Sequence, residues 1–177
     1  MRAILLAVLV AAGSAGAAKA AADEATMLAT ANGFYAVYKT FQPSDGVPSA
    51  ADRAKYAPFL SPELAKLLAD AGTAEMRFAR ANKGSPPLVE GDLFTSLFEG
   101  ATSVEVVGCS GDSRTGHCTA SLAFVQAGSK PTDWNDTLYL VSTPAGWRVD
   151  DIAYGGTWAF GNKGRLSETL KQVISFQ

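Results

Sequence analysis

The stretch GWRVDDIAYGGTWAFG, residues 146–161, gathers more potential chemistry than any other part of this 177-residue chain. Asp150 and Asp151 stand side by side, with Arg148 before them and Tyr154 and Trp158 after. Paired carboxylates beside a phenol can do general acid–base work when one of them sits in a pocket that restricts water. The same residues also have a purely structural reading. Trp147 and Val149 share one face of a strand, whereas Ile152 and Tyr154 have the opposite parity. A strand that keeps one face buried needs an extra residue to do this, so a bulge is predicted at Asp150–Asp151. The acids then either occupy a polar bend, pairing with Arg148 or capping amides, or one of them enters a concave pocket lined by Tyr and Trp. Asp92, in LVEGDLFTSLFEG (residues 88–100), carries the same alternatives, an ordinary turn aspartate being one of them. Trp158 lies among Gly155, Gly156 and Gly161, either exposed for a partner or folded back as a lid on the core. Tyr38 is a packing residue first. With Asp92, Asp150, Asp151, Tyr154 and Trp158 it completes the candidate ligand- or partner-binding set.

Other chemistries come close and fail. Residues 156–163, GTWAFGNK, have Asn162 where a phosphate-binding loop needs Lys, and no helix directly follows. Gly108-Cys109-Ser110-Gly111-Asp112 has Asp in place of the second Gly of a nucleophile elbow. A catalytic triad would have to use His117, the single His, which falls in a polar turn. Asp133-Trp134-Asn135-Asp136 lacks calcium-loop spacing and reads as a hairpin turn with solvated charges. Cys109 and Cys118 with His117 supply at most three ligands, so no metal and no cofactor is called for. The two cysteines flank turn residues between two strand-like runs and are expected to form a disulfide across a hairpin.

That pairing suits an exported chain. Residues 1–20 read as a cleaved signal peptide: Arg2, an apolar run from Ile4 to Ala12, then Ala15-Gly16-Ala17 and Ala18-Lys19-Ala20 as cleavage sites. No Cys follows the apolar run, so no lipobox is present, and a periplasmic or secreted location is expected. Cleavage removes Arg2 and Lys19 from the 15 basic residues and none of the 17 acidic ones, leaving a mild negative charge. Such a balance argues against nucleic acid and against a basic patch on anionic lipid. No other run is apolar enough to span a membrane.

Residues 21–177 are expected to form a single domain. Asp23 is the expected cap of a first helix carrying Met27, Leu28, Ala31, Phe34, Tyr35, Tyr38 and Phe41 as an apolar stripe. A short helix is expected over 50–57, and Ser61-Pro62-Glu63 opens another that runs to about Ala81. Residues 88–100 fit a short strand or a helical turn capped by Asp92. Strand periodicity follows at about 102–109, 117–127, 136–142 and 146–154, and a last helix at 165–174. The order predicts an α+β fold, with N-terminal helices packed on a curved antiparallel sheet of four strands, or slightly more, and a short C-terminal helix.

YAPFLSPELAKLL (residues 56–68), PLVEGDLFTSLFEG (87–100), WNDTLYLV (134–141) and GWRVDDIAYGG (146–156) resemble the bacterial envelope proteins grouped as domain of unknown function 3828. The resemblance implies a cone-like fold similar to nuclear transport factor two-like domains and an envelope location. It brings no catalytic residues with it, and unlike some lipoprotein members this chain lacks the lipobox Cys. The leading expectation is a non-enzymatic exported domain that binds an envelope protein partner or a small ligand through its curved sheet. The rival is an isomerase-, dehydratase- or hydrolase-type enzyme using Asp92, Asp150 or Asp151 with a Tyr. A structural accessory presenting an apolar patch near Trp158 is a third reading, and a homodimer through the sheet stays open.

Overall fold

Met27, Ala31, Phe34, Tyr35 and Tyr38 recur at three- and four-residue steps and are all buried. That spacing stacks side chains on one side of a helix. The computed structural model describes residues 12–41 and 45–176, with backbone alone for 12–15. The aromatic stripe lies on α1 (Ala12–Tyr38), which continues as a 3₁₀ turn to Phe41. Because α1 begins at Ala12, Asp23 does not cap it; its carboxylate pairs with Lys19 one turn back at 3.1 Å. Part of the expected signal peptide, residues 1–11, lies outside the described residues.

Ser49 opens α2 (Ala50–Tyr56) and Ser61 opens α3 (Pro62–Ala81). The Ser61 hydroxyl accepts the Leu64 amide at 3.0 Å, and Pro62 takes the first helical position, where a missing N–H costs nothing. Leu64, Leu68, Ala71 and Ala74 form the buried face of α3. Gly72, unfavourable within a helix, admits the Arg53 side chain: a Cβ there would stand 2.5 Å from the Arg53 guanidinium.

The sheet is an antiparallel meander in the order β1-β2-β3-β4, with β1 Ser103–Gly111, β2 Thr115–Phe124, β3 Thr132–Thr143 and β4 Gly146–Ala153. Cys109 faces Cys118 across the first hairpin, and the two are disulfide-bonded. The predicted bulge is present. Tyr139 pairs with Asp151 and Leu140 with Val149, so Asp150 is the inserted residue. This lets Trp147 and Val149, and then Ile152, all face the core.

The reading of residues 133–136 as a turn is overturned. They lie inside β3, with Trp134 and Asp136 buried. The turn sits upstream, closed by Ser129 N–H to Gln126 O at 3.0 Å, with Gly128 at a φ of 81°.

Helix α1 packs on β1, β2 and β4, and α4 (Leu166–Ser175) lies against α3 and β4 through Leu166, Leu170 and Val173. The chain before α3 covers the β4 edge, Leu60 bridging Val149 and Ser61 N–H donating to Val149 O. At the other edge β1 carries a second bulge at Val107, and Lys39 donates to the Val104 carbonyl at 3.1 Å. Both devices blunt an open strand edge. The result is an α+β fold with helices on one face of a curved, unclosed sheet. Among the described residues no helix is long and apolar enough to cross a membrane.

Candidate functional site

Residues 88–101 form neither strand nor helix. An irregular segment buried in this way has no ladder to satisfy its amides, so side chains must do it. Asp92 supplies one set. Its Oδ1 accepts the Phe94 and Thr95 amides, both at 2.7 Å, and its Oδ2 accepts the Tyr38 hydroxyl at 2.7 Å. The expected capped helical turn is therefore an aspartate-centred turn instead. The Tyr38 oxygen in turn accepts the Ala101 amide at 2.9 Å. Burial, and then the Asp92 charge, push the Tyr38 phenol far above its ordinary range, so it stays a donor to the carboxylate.

Asp136 supplies the other set. Its Oδ2 accepts the Ser96 amide at 2.9 Å and Trp134 Nε1 at 3.1 Å; its Oδ1 accepts the Ser96 hydroxyl and the Gly155 amide. The Ser96 oxygen accepts the Gly156 amide at 2.9 Å. Tyr154 donates to Leu93 O at 2.8 Å, its pKa also raised by burial and by the Asp92 charge. Asn162 closes the assembly, donating from Nδ2 to Asp92 O and Thr95 O and from its amide to Ser96 O. Asp136, Ser96 and Asn162 were not among the sequence candidates. The alternation Trp134-Asp136-Leu138-Leu140 was the available signal, because it places Asp136 on the inward face of its strand.

Asp150 and Asp151 are not brought together as an acid pair. Asp151 is buried and fastens α4: it accepts the Ser167 amide at 3.0 Å, the Ser167 hydroxyl at 2.8 Å and the Ile152 amide at 2.9 Å. Arg165 reaches it at 3.5 Å and lies over the Tyr139 ring, 4.1 Å from its centroid. Asp150 is the half-buried bulge residue. Of the two alternatives for the bend, amide capping is the one Asp151 takes, and Arg148 donates to its neighbour Trp147 O at 2.7 Å. His117 is exposed on β2, with the Ser110 hydroxyl 3.1 Å from its Nε2. Among the described residues no three His, Cys, Asp or Glu side chains group to hold a metal.

Trp158 resolves toward the lid. It is half-buried, stands edge-on to Trp134 at 5.3 Å and covers Gly156, where a Cβ would meet its ring at 2.3 Å. The exposed aromatics lie beside it: Phe160 is 86% exposed and Phe98 45%. Phe98 rides on Gly91, whose φ of 74° and missing Cβ leave room for the ring. Phe98 and Glu99 line two depressions. One, of about 200 Å³, continues along Leu97, Trp158 and Phe160. The other, of about 620 Å³, reaches Pro87, Phe124, Glu90 and Asp45. Neither is lined by Lys or Arg.

No family model matches the chain, and no curated protein or solved structure is significantly similar to it.

Proposed function

We infer that this chain is an exported, non-catalytic binding domain that engages a basic, apolar segment of an envelope protein across the Phe98–Phe160 face. The observation that carries this reading is the pairing of two large exposed rings with depressions lined by acids and by no base. Exposed aromatics of this size typically anchor partners, and a one-signed rim selects the partner's charge. On this reading the contact lies on the loops beside the sheet; one face of the sheet is filled by α1 and its aromatic core.

What supports a non-catalytic role is the use already made of the buried acids. Asp92, Asp136 and Asp151 spend their oxygens on amides and hydroxyls that hold the loops and α4 in place. The isomerase-, dehydratase- or hydrolase-type alternative needs a carboxylate beside a Tyr that substrate can reach. Asp92 and Tyr38 have the proximity, but they are 1% and 0% exposed.

The resemblance to the envelope family, the leader-like residues 1–20 and the Cys109–Cys118 disulfide favour the periplasm or the exterior. Affinity capture from the envelope tests the function, run in parallel with Phe98→Asp and Phe160→Asp. A partner lost with both variants, at unchanged thermal midpoint, is expected. A partner retained by both, or turnover of a co-purifying small molecule abolished by Asp92→Asn, overturns the reading. Intact mass of the exported protein is expected to correspond to a chain that starts near Ala21.

A further inference from the structure

A second aromatic surface is exposed on this molecule, and its charge is opposite to that of the first. Phe78, on α3, and Phe176, just after α4, stand edge-to-face at 5.4 Å. With Ala74, Ala81, Arg77 and Asn82 they line a groove of about 550 Å³. Phe176 is 54% exposed and Met76 53%. Residues 76–83, MRFARANK, hold Arg77, Arg80 and Lys83 and no acid. Glu75, the acid just before them, accepts the Leu88 amide at 3.0 Å. We propose, on the reading of the Phe98–Phe160 face as a docking site, that this groove receives that face of a second copy of the chain, so that copies associate head to tail.

Charge selects this pairing. The depressions beside Phe98 and Phe160 are lined by Asp45, Glu90 and Glu99, whereas Arg77 is the charged residue lining the groove. Among the described residues, Glu90, Glu99, Arg77, Arg80 and Lys83 enter no ion pair within their own chain. Each set is therefore available to the other across a contact, and two copies that meet through the same face set charges of one sign together. The segment 76–83 is itself basic and apolar, which is the partner chemistry the Phe98–Phe160 face calls for.

Shape agrees with charge. Phe160 is the most exposed of the large apolar side chains, at 86%. Ala74 and Ala81, two turns apart on α3, are small, so the groove has space for an incoming ring between Phe78 and Phe176. A third ring there extends the edge-to-face pair already formed. Among the described residues the groove and the two depressions share no lining residue. The contact is thus heterologous, and each bound pair keeps one free face of each kind for further copies. A patch built on a few rings is small, which makes the association weak and dependent on concentration.

Sedimentation velocity of the purified protein, from micromolar to near-millimolar concentration, is expected to show reversible association that weakens as salt is raised. Phe160→Asp and Arg77→Glu, one in each surface, should each weaken it about tenfold or more at unchanged thermal midpoint. Mixed together, the two variants should form a one-to-one complex, because each retains the surface the other has lost. A protein that stays monomeric throughout, association indifferent to either substitution, or a mixture that fails to combine overturns the proposal. Envelope capture separates its failure from that of the docking face. A partner lost with Phe98→Asp from a protein that stays monomeric keeps the docking face and removes the second copy as its occupant. Self-association lost with Arg77→Glu, without any captured partner, keeps the second copy and removes the envelope segment.

Discussion

The Tyr38 hydroxyl donates to Asp92 Oδ2 at 2.7 Å while it accepts the Ala101 amide at 2.9 Å, so one phenol on α1 fastens both ends of the 92–101 loop. Tyr38→Phe removes both of these hydrogen bonds. It should cost about 1–3 kcal/mol, two hydrogen bonds at their usual net worth, read as a lowered denaturation midpoint. Tyr35 is its internal control. Its hydroxyl is buried and has no hydrogen-bond partner among the described residues, so Tyr35→Phe should be neutral or slightly stabilising.

Alkaline pH should act through the same phenols. Burial raises the pKa of Tyr35, Tyr38, Tyr56 and Tyr154 above the ordinary 10.0, with the charges of Asp136 and Asp92 adding to it. The folded chain thus binds these protons more tightly than the unfolded one. Their contribution is complete below about pH 10 and is lost as pH rises from there toward the folded values. Absorbance at the phenolate band should therefore show these four ionising only as circular dichroism is lost. Stepwise ionisation near pH 10 with the fold intact is the contrary result.

Asp136 and Asp151 hold different parts of the molecule, and their variants should separate. Asp136→Ala releases Ser96, Trp134 and Gly155 together and should cost about 3–5 kcal/mol, the range for breaking a buried charged network. Asp151→Ala should loosen α4 locally. Hydrogen exchange is expected to quicken over 166–175 more than over the β2–β3 ladder. Uniform quickening would falsify that assignment.

The Cys109–Cys118 bridge closes a short loop between facing residues of β1 and β2. Reduction, or Cys109→Ala with Cys118→Ala, should cost about 2–3 kcal/mol in the chain-entropy account. The fold should survive, because the ladder and core remain. The check is thermal unfolding with and without a thiol reductant.

Much of this architecture is legible in the chain because its determinants are neighbours. Ser61-Pro62 starts α3 by capping and by a missing N–H, both local events. The parity switch around Asp150 announces a bulge, because strand faces alternate with a period of two. Turn-forming composition misled at 133–136, where Asp and Asn suggested a turn although the alternation places Trp134 and Asp136 inward. At the other end of the chain, the alanine-rich run from Ala17 to Ala22 carries α1 past Asp23.

The sequence by itself determined the helix-then-meander order, the disulfide, the bulge and the inward stripe of α1. Only the tertiary structure decided what the polar residues do. Tyr38 meets Asp92 across 54 positions, Ser96 meets Asp136 across 40, and Asn162 meets Asp92 across 70. Local pattern sets backbone preference and the face on which a side chain lies. Which buried donor finds which acceptor depends on where distant segments cross, and those crossings turned the apparent acid pair into a bulge residue and a helix anchor. They also left Phe98 and Phe160 exposed beside the sheet.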